Sequence, residues 1–248
     1  PAGMAAGIPL LLLHPFPFDA EFWAPLRALL PADRAIRAPD FPGFGSAPVE
    51  EGVTIDGVAD RLAGEIAREP GARAVVCGLS LGGYVALSLA ARHLGRVAAL
   101  VLADTRAEAD DPAARNGRDA GIARVRSGDV SGFLDSLLPR LLSPHAPPDV
   151  VACARRIAMR QSPEGVIAAL AALRSRPDRR PDLPRIAVPT LVIWGREDRV
   201  TPEEAARALA VGARLEVIPD AGHLTALERP EEFAAILVEF LGASVPDG

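Results

Sequence analysis

Ser80 sits in Gly78-Leu79-Ser80-Leu81-Gly82-Gly83, between the apolar run Ala74 to Cys77 and an alanine- and leucine-rich helical pattern. That order reads as strand, sharp turn and helix, with the serine at the tip of the turn. A residue held on so tight a turn is driven into a strained backbone region. The positions two before and two after it press against the turn, where a Cβ would clash, and both are glycine. Such a serine offers nucleophilic attack on a carbonyl. The backbone N–H groups and positive dipole end of the following helix would face the oxyanion that forms.

A serine hydroxyl is a weak nucleophile near neutral pH. It needs a base within hydrogen-bond reach, and the base needs an orienting partner. The chain has four histidines. His93 falls at the far end of the helix after Ser80, roughly 20 Å away for a regular helix. His145 lies in a proline-rich stretch. His14 ends the first apolar run, and His223 follows the last one in a glycine-containing loop. In a parallel sheet the C-terminal ends of the strands share one edge, where sites assemble, and this makes His223 the expected base. The orienting acid should also follow a strand. Asp198, after Trp194-Gly195, and Asp104, after Val97 to Leu102, both qualify, with Asp198 favoured. Asp220 is too close in sequence to His223 to face it well, and Glu197 is a weaker neighbour of Asp198. The oxyanion needs two backbone donors. Leu81 supplies one, and Phe16, between Pro15 and Pro17, is the expected second.

The elements that must position these residues follow from the apolar patterning. Ile8 to Leu13 reads as a buried strand, Trp23 to Leu30 as a short helix and Arg34 to Ala38 as a brief strand. A glycine-punctuated loop follows from Pro39 to Ser46. Thr54 to Arg68 has helical periodicity, with Thr54 as N-cap and Pro70-Gly71 as the stop. The helix after Ser80 runs to about His93, with Gly95 as its C-cap. Val97 to Leu102, Val188 to Gly195 and Leu215 to Ile218 are further strands. A helix over 203–209 is capped by Thr201 with Pro202 at its first position, and a closing helix reaches about Leu241. Strands apolar on both faces, alternating with helices, predict an α/β fold with a mostly parallel sheet. Between Arg106 and Ile186 the alternation stops, and helices are expected at 113–126, 129–142, 148–161 and 163–175. That stretch is longer than a crossover needs and reads as a helical cap above the sheet.

The 248 residues are 49% hydrophobic with a net charge of −5, and there is no lysine. Arginines are scattered among acids, which argues against nucleic acid or a membrane surface as partner. Cys77 and Cys153 form no paired motif, so neither a disulfide framework nor a metal site is expected. The first arginine is Arg27, after the N-terminal apolar run, unlike a secretory leader, so a cytoplasmic protein is expected. The sequence carries no signal for an oligomeric state.

On five motifs in order the chain resembles the α/β-hydrolase superfamily over nearly its full length. They are Leu13-His14-Pro15-Phe16-Pro17, Asp40-Phe41-Pro42-Gly43-Phe44-Gly45-Ser46, Gly78-Leu79-Ser80-Leu81-Gly82-Gly83, Trp194-Gly195-Arg196-Glu197-Asp198-Arg199-Val200 and Ala221-Gly222-His223. Pro15 stands where the family usually has glycine. The resemblance implies an α/β-hydrolase fold, with a core of 1–105 and 187–248. The helical cap, 106–186, is inserted before the strand that precedes the acid loop. It implies a triad of Ser80, Asp198 and His223, oxyanion donors at Phe16 and Leu81, and no cofactor or metal. Within the superfamily the chain resembles small esterases and 3-oxoadipate enol-lactonase-like proteins. A small-molecule ester or lactone with an apolar portion is the expected substrate, with His14, Phe18, Phe44 and Tyr84 as candidate contacts. The rival readings are a carbon–carbon bond hydrolase or perhydrolase with the same triad, and a ligand-binding module whose active site has lapsed.

Overall fold

The computed structural model describes residues 8–68 and 72–244. Six strands form one sheet: β1 (Leu10–Leu13), β2 (Ile36–Arg37), β3 (Ala74–Leu79), β4 (Val97–Ala103), β5 (Thr190–Gly195) and β6 (Arg214–Ile218). Their order is β2-β1-β3-β4-β5-β6, and each neighbouring pair is parallel. The register sets Leu13 beside Gly78, Leu79 beside Ala103, Ala103 beside Ile193 and Gly195 beside Ile218. The loops leaving β1, β3, β4, β5 and β6 therefore emerge along one edge.

Alternate side chains of the buried strands enter two separate cores. Leu10, Leu12, Val75, Cys77, Val101 and Ile193 face one, covered by Phe22, Trp23 and the long helix α10 (Pro230–Ser244). Leu11, Leu13, Val76, Leu100, Leu102 and Val192 face the other, covered by α2 (Ile55–Ile66), α3 (Leu81–His93) and α8 (Glu203–Leu209). Burial on both faces is why these strands read as continuous apolar runs rather than alternating ones.

Four helices, α4 (Pro112–Arg126), α5 (Val130–Leu141), α6 (Pro148–Met159) and α7 (Pro163–Ser175), lie between β4 and β5. Among the described residues no strand interrupts them. Each has a local start signal. Asp111, Asp129 and Ser162 accept hydrogen bonds from the amides of Ala114, Gly132 and Gly165, and proline opens α4, α6 and α7. Thr54 caps α2 in the same way through the Gly57 amide, at 3.0 Å. The expected stop at Pro70-Gly71 lies outside the described residues.

Several expected boundaries move, for identifiable reasons. The first strand begins at Leu10 because Pro9 has no N–H for the ladder, although its carbonyl accepts from Val75. The helix expected over 23–30 is a 3-10 turn, Ala20–Trp23, capped by Asp19, then the single turn α1 (Ala24–Arg27). Beyond it Leu29 and Leu30 bond only three residues back, so the helix does not propagate. Gly95 lies inside a 3-10 turn, Leu94–Arg96, rather than capping α3. Thr201 does not cap α8, whose N-cap is Pro202, because its hydroxyl donates to the Asp104 carbonyl at 3.2 Å. The closing segment is divided into the short α9 (Thr225–Glu228) and α10. No helix of the described residues is long and apolar enough to cross a membrane.

Candidate active site

Ser80 joins β3 to α3 with φ +52° and ψ −111°, a conformation that costs about 1–3 kcal/mol and needs support from its surroundings. The surroundings provide it. The Ser80 N–H donates to the Ala103 carbonyl at 2.9 Å, and its carbonyl accepts from the Thr105 hydroxyl at 2.9 Å and the Tyr84 amide at 3.1 Å. A Cβ on Gly78 would meet the Gly82 backbone, and one on Gly82 would meet the Leu13 carbonyl. The two glycines thus let the strand, the turn and the loop after β1 close on one another.

The Ser80 Oγ lies 2.8 Å from Nε2 of His223, and Nδ1 of that ring lies 2.8 Å from Oδ2 of Asp198. The His223 and Asp198 side chains are 1% and 0% exposed. An ionised carboxylate can only accept, so Nδ1 carries the ring proton and Nε2 presents a lone pair to the serine hydroxyl. The other Asp198 oxygen accepts the amides of Val200 at 2.7 Å and Thr201 at 2.9 Å, which fixes the carboxylate plane.

The other acids are occupied elsewhere. Asp104 is buried and its Oδ1 accepts the Gly195 amide at 2.9 Å, while Oδ2 accepts the Thr225 hydroxyl at 2.5 Å. Burial, and next the Asp198 charge, push its carboxyl well above the usual range. Asp220 is exposed, 3.8 Å from Arg229. His93 lies 2.7 Å from Asp60 at the end of α3, and His145 is exposed.

Phe16 follows β1 in a loop whose Pro15 carbonyl accepts the Phe18 amide, and the Gly82 contact sets Leu13, at the end of β1, against the start of α3. Neither the Phe16 nor the Leu81 amide donates a hydrogen bond among the described residues.

All four expected substrate contacts are buried. His14 is fully buried, accepts the Phe41 amide on Nε2 at 2.9 Å and donates from Nδ1 to the Pro15 carbonyl at 3.1 Å. Burial depresses its pKa to about 4, so the ring is neutral. Phe18 belongs to the opposite core, 5.4 Å from Phe22, and Phe44 lies edge-on to Phe16 at 6.2 Å with 1% of its surface exposed. Tyr84 carries the Arg176 guanidinium 4.2 Å above its ring. Aromatic residues beside a motif loop are the first to be recruited as core, because they bury the most apolar area. Sequence reading missed Glu228, whose carboxylate accepts the Gly222 and Leu224 amides on either side of His223 at 3.0 and 3.2 Å. Its surroundings, Leu227-Glu228-Arg229-Pro230, resemble an ordinary exposed turn, yet it is 5% exposed.

Among the described residues no group of three or more His, Cys, Asp or Glu could hold a metal ion. The arrangement has the donors, acceptors and proton path for acyl transfer through a serine.

A family model described as "Alpha/beta hydrolase family" matches residues 10–236. The pimeloyl-[acyl-carrier protein] methyl ester esterase of Aromatoleum aromaticum is 34% identical over 93% of this chain and 96% of its own length. Among solved structures, a thermophilic esterase from Thermogutta terrifontis superposes with a TM-score of 0.90 at 36% identity, over 97% of this chain and 91% of that one. The enol-lactonase of Burkholderia xenovorans superposes at 0.85 and 30% identity, over 95% and 92%.

Proposed function

The chain belongs to the alpha/beta hydrolase family, and from that premise we propose that it is a serine hydrolase cleaving carboxylic esters or lactones through an acyl-enzyme. The observation that supports this reading is the unbroken hydrogen-bond chain from Ser80 through His223 to Asp198, with both links at 2.8 Å.

The Ser80 Oγ forms a bond to the carbonyl carbon as His223 Nε2 takes its proton, and the carbonyl π pair moves to oxygen. The Phe16 and Leu81 amides receive that oxyanion. When the pair returns, the C–O bond to the alcohol breaks, and His223 delivers its proton to the departing oxygen. A lactone opens at this step with its alcohol still tethered. Water, deprotonated by His223, then releases the acid and restores Ser80. Asp198 keeps the ring in the required tautomer and stabilises the imidazolium. The segment 106–186 acts as the cap that selects the acyl or alcohol group, its apolar side chains favouring a substrate with an apolar portion. Work in the cytoplasm is part of the same proposal, supported by the unpaired thiols Cys77 and Cys153.

Ser80→Ala tests it. Hydrolysis of p-nitrophenyl esters should fall by at least about three orders of magnitude. Wild-type protein mixed with esters and lactones should gain the mass of an acyl group on Ser80. A Ser80→Ala protein that retains more than about a hundredth of the activity would sink the assignment. So would wild-type protein that takes no label from a fluorophosphonate.

A further inference from the structure

Three successive amides surround the imidazole backbone, and each has a fixed acceptor. Gly222 and Leu224 donate to one oxygen of Glu228, at 3.0 and 3.2 Å. The His223 N–H donates to the Leu141 carbonyl, at the end of α5, at 2.9 Å. The second Glu228 oxygen accepts the Ser143 amide at 2.8 Å. One carboxylate therefore ties the His223 loop to the segment that follows α5, and residues 85 positions apart share it.

The same segment reaches the acid loop. The Ser143 hydroxyl donates to the Glu197 carboxylate, next to Asp198, and the Glu197 amide donates to the Ala221 carbonyl at 2.8 Å. Contact is direct rather than through long side chains. A Cβ on Gly222 would strike the backbone of Leu142 and Ser143, so the loop packs flat on the segment. Glu228 meets no cation among its hydrogen-bond partners. Burial pushes its carboxyl upward, and the three backbone donors and the facing His223 pull it back. A buried carboxylate held only by backbone N–H groups has a fixed orientation, because each donor belongs to a different loop position.

We propose that Glu228 is a positioning residue that locks the His223 loop onto the Leu141–Ser143 segment, so that the helices between β4 and β5 set where the imidazole stands over Ser80. This rests on the reading of His223 as the base. The consequence is mechanical. Of the inserted helices, the end of α5 is part of the catalytic scaffold and does not swing away with a lid. A displacement of that end would be felt at Nε2, where a shift of about 1 Å is enough to slow proton transfer about a hundredfold.

The test uses the full chain with Glu228→Ala and Glu228→Gln. Each is assayed well below its own Tm, with p-nitrophenyl acetate and with a fluorophosphonate that labels Ser80, and rates are counted per folded molecule. Glu228→Ala should lower kcat and the labelling rate by about 10–100-fold while KM stays within about threefold, because proton transfer and not substrate binding is disturbed. Glu228→Gln should lose less. Its one carbonyl oxygen still serves Gly222 and Leu224, while its amide N–H groups oppose the Ser143 donor. If both variants melt earlier yet react at the wild-type rate, Glu228 is merely structural and the proposal is overturned. Should Glu228→Ala fail to fold, Glu228→Gln decides: a slowed rate supports the proposal and an unchanged one overturns it. Wild-type protein that neither labels nor hydrolyses overturns the serine-hydrolase reading itself, and this proposal with it.

Discussion

His14 and Asp104 are both enclosed by protein, and burial moves them in opposite senses. His14 must stay neutral to accept the Phe41 amide, and its pKa falls from 6.5 to about 4. Between those values the unfolded chain binds the extra proton, so folding stability is lost as the pH falls through that window. A drop from 6.5 to about 4 corresponds to about 3 kcal/mol. Urea unfolding from pH 7 to pH 4 should show the His14→Gln protein losing less stability than the wild type over this range. Equal slopes would mean that the ring is solvated. Asp104 has a raised pKa, so here the folded protein holds the extra proton. Its contribution is complete below the ordinary carboxylate range and is lost as the pH rises toward the shifted value. Asp104→Asn, neutral at every pH, should therefore gain on the wild type as the pH is raised, and should keep most esterase activity, since Asp198 rather than Asp104 meets His223. An Asp104→Asn protein as inactive as Ser80→Ala would show that Asp104 is the working acid.

The β3–α3 turn is an element whose shape depends on two missing side chains. A methyl at residue 82 would collide with the Leu13 carbonyl, a backbone atom that cannot move without breaking the β1–β3 ladder. Gly82→Ala should cost about 1–3 kcal/mol or more and lower the melting midpoint, and it should abolish Ser80 labelling even in the fraction that folds. Normal labelling in this variant would mean that the turn tolerates a Cβ. This element was legible in the sequence because its causes are local: the glycines, the serine and the flanking apolar run lie within a dozen residues. The four helices from Pro112 to Ser175 were legible for the same reason, each carrying its own cap or proline. Thr201 and Glu228 were not. Thr201 has the right type and position for a cap, but it bonds to Asp104 across 97 residues, and Glu228 bonds to Ser143 across 85. Local propensity cannot register a partner supplied by the tertiary fold, and it loses where the two compete.

At the scale of the molecule, two of the fastenings that hold the inserted helices to the rest of the chain differ in kind. The end of α5 is joined to the His223 loop by the His223 N–H, which donates to the Leu141 carbonyl, and by the buried Glu228 carboxylate, which accepts the Ser143 amide. The end of α6 is joined to the loop after β1 by side chains. Arg160 donates to Asp19 from Nε at 2.9 Å and from Nη2 at 2.6 Å, and Gln161 adds a bond at 2.8 Å. Gln161 and Ser162 also reach the backbone of Gly45 and Gly43 in the loop after β2. The Asp19 side chain is 2% exposed, so removing Arg160 leaves a buried carboxylate with Gln161 and the Glu21 amide as its hydrogen-bond donors. Arg160 itself is 41% exposed, which discounts the ion pair, and the loss should be about 1–3 kcal/mol from the stranded acceptor. The two fastenings make the distribution of that loss predictable. In Arg160→Ala, amide hydrogen exchange should quicken through α6 and α7 and in the 39–46 loop, while Leu141 to Ser143 and the His223 loop keep wild-type protection. The KM for long-chain esters should rise, and the labelling rate with a small fluorophosphonate should stay within about threefold of the wild type. Exchange that quickens equally across α4 to α7, including Leu141 to Ser143, would mean that the four helices open as one body, and the separate anchoring of α5 to the His223 loop would be wrong.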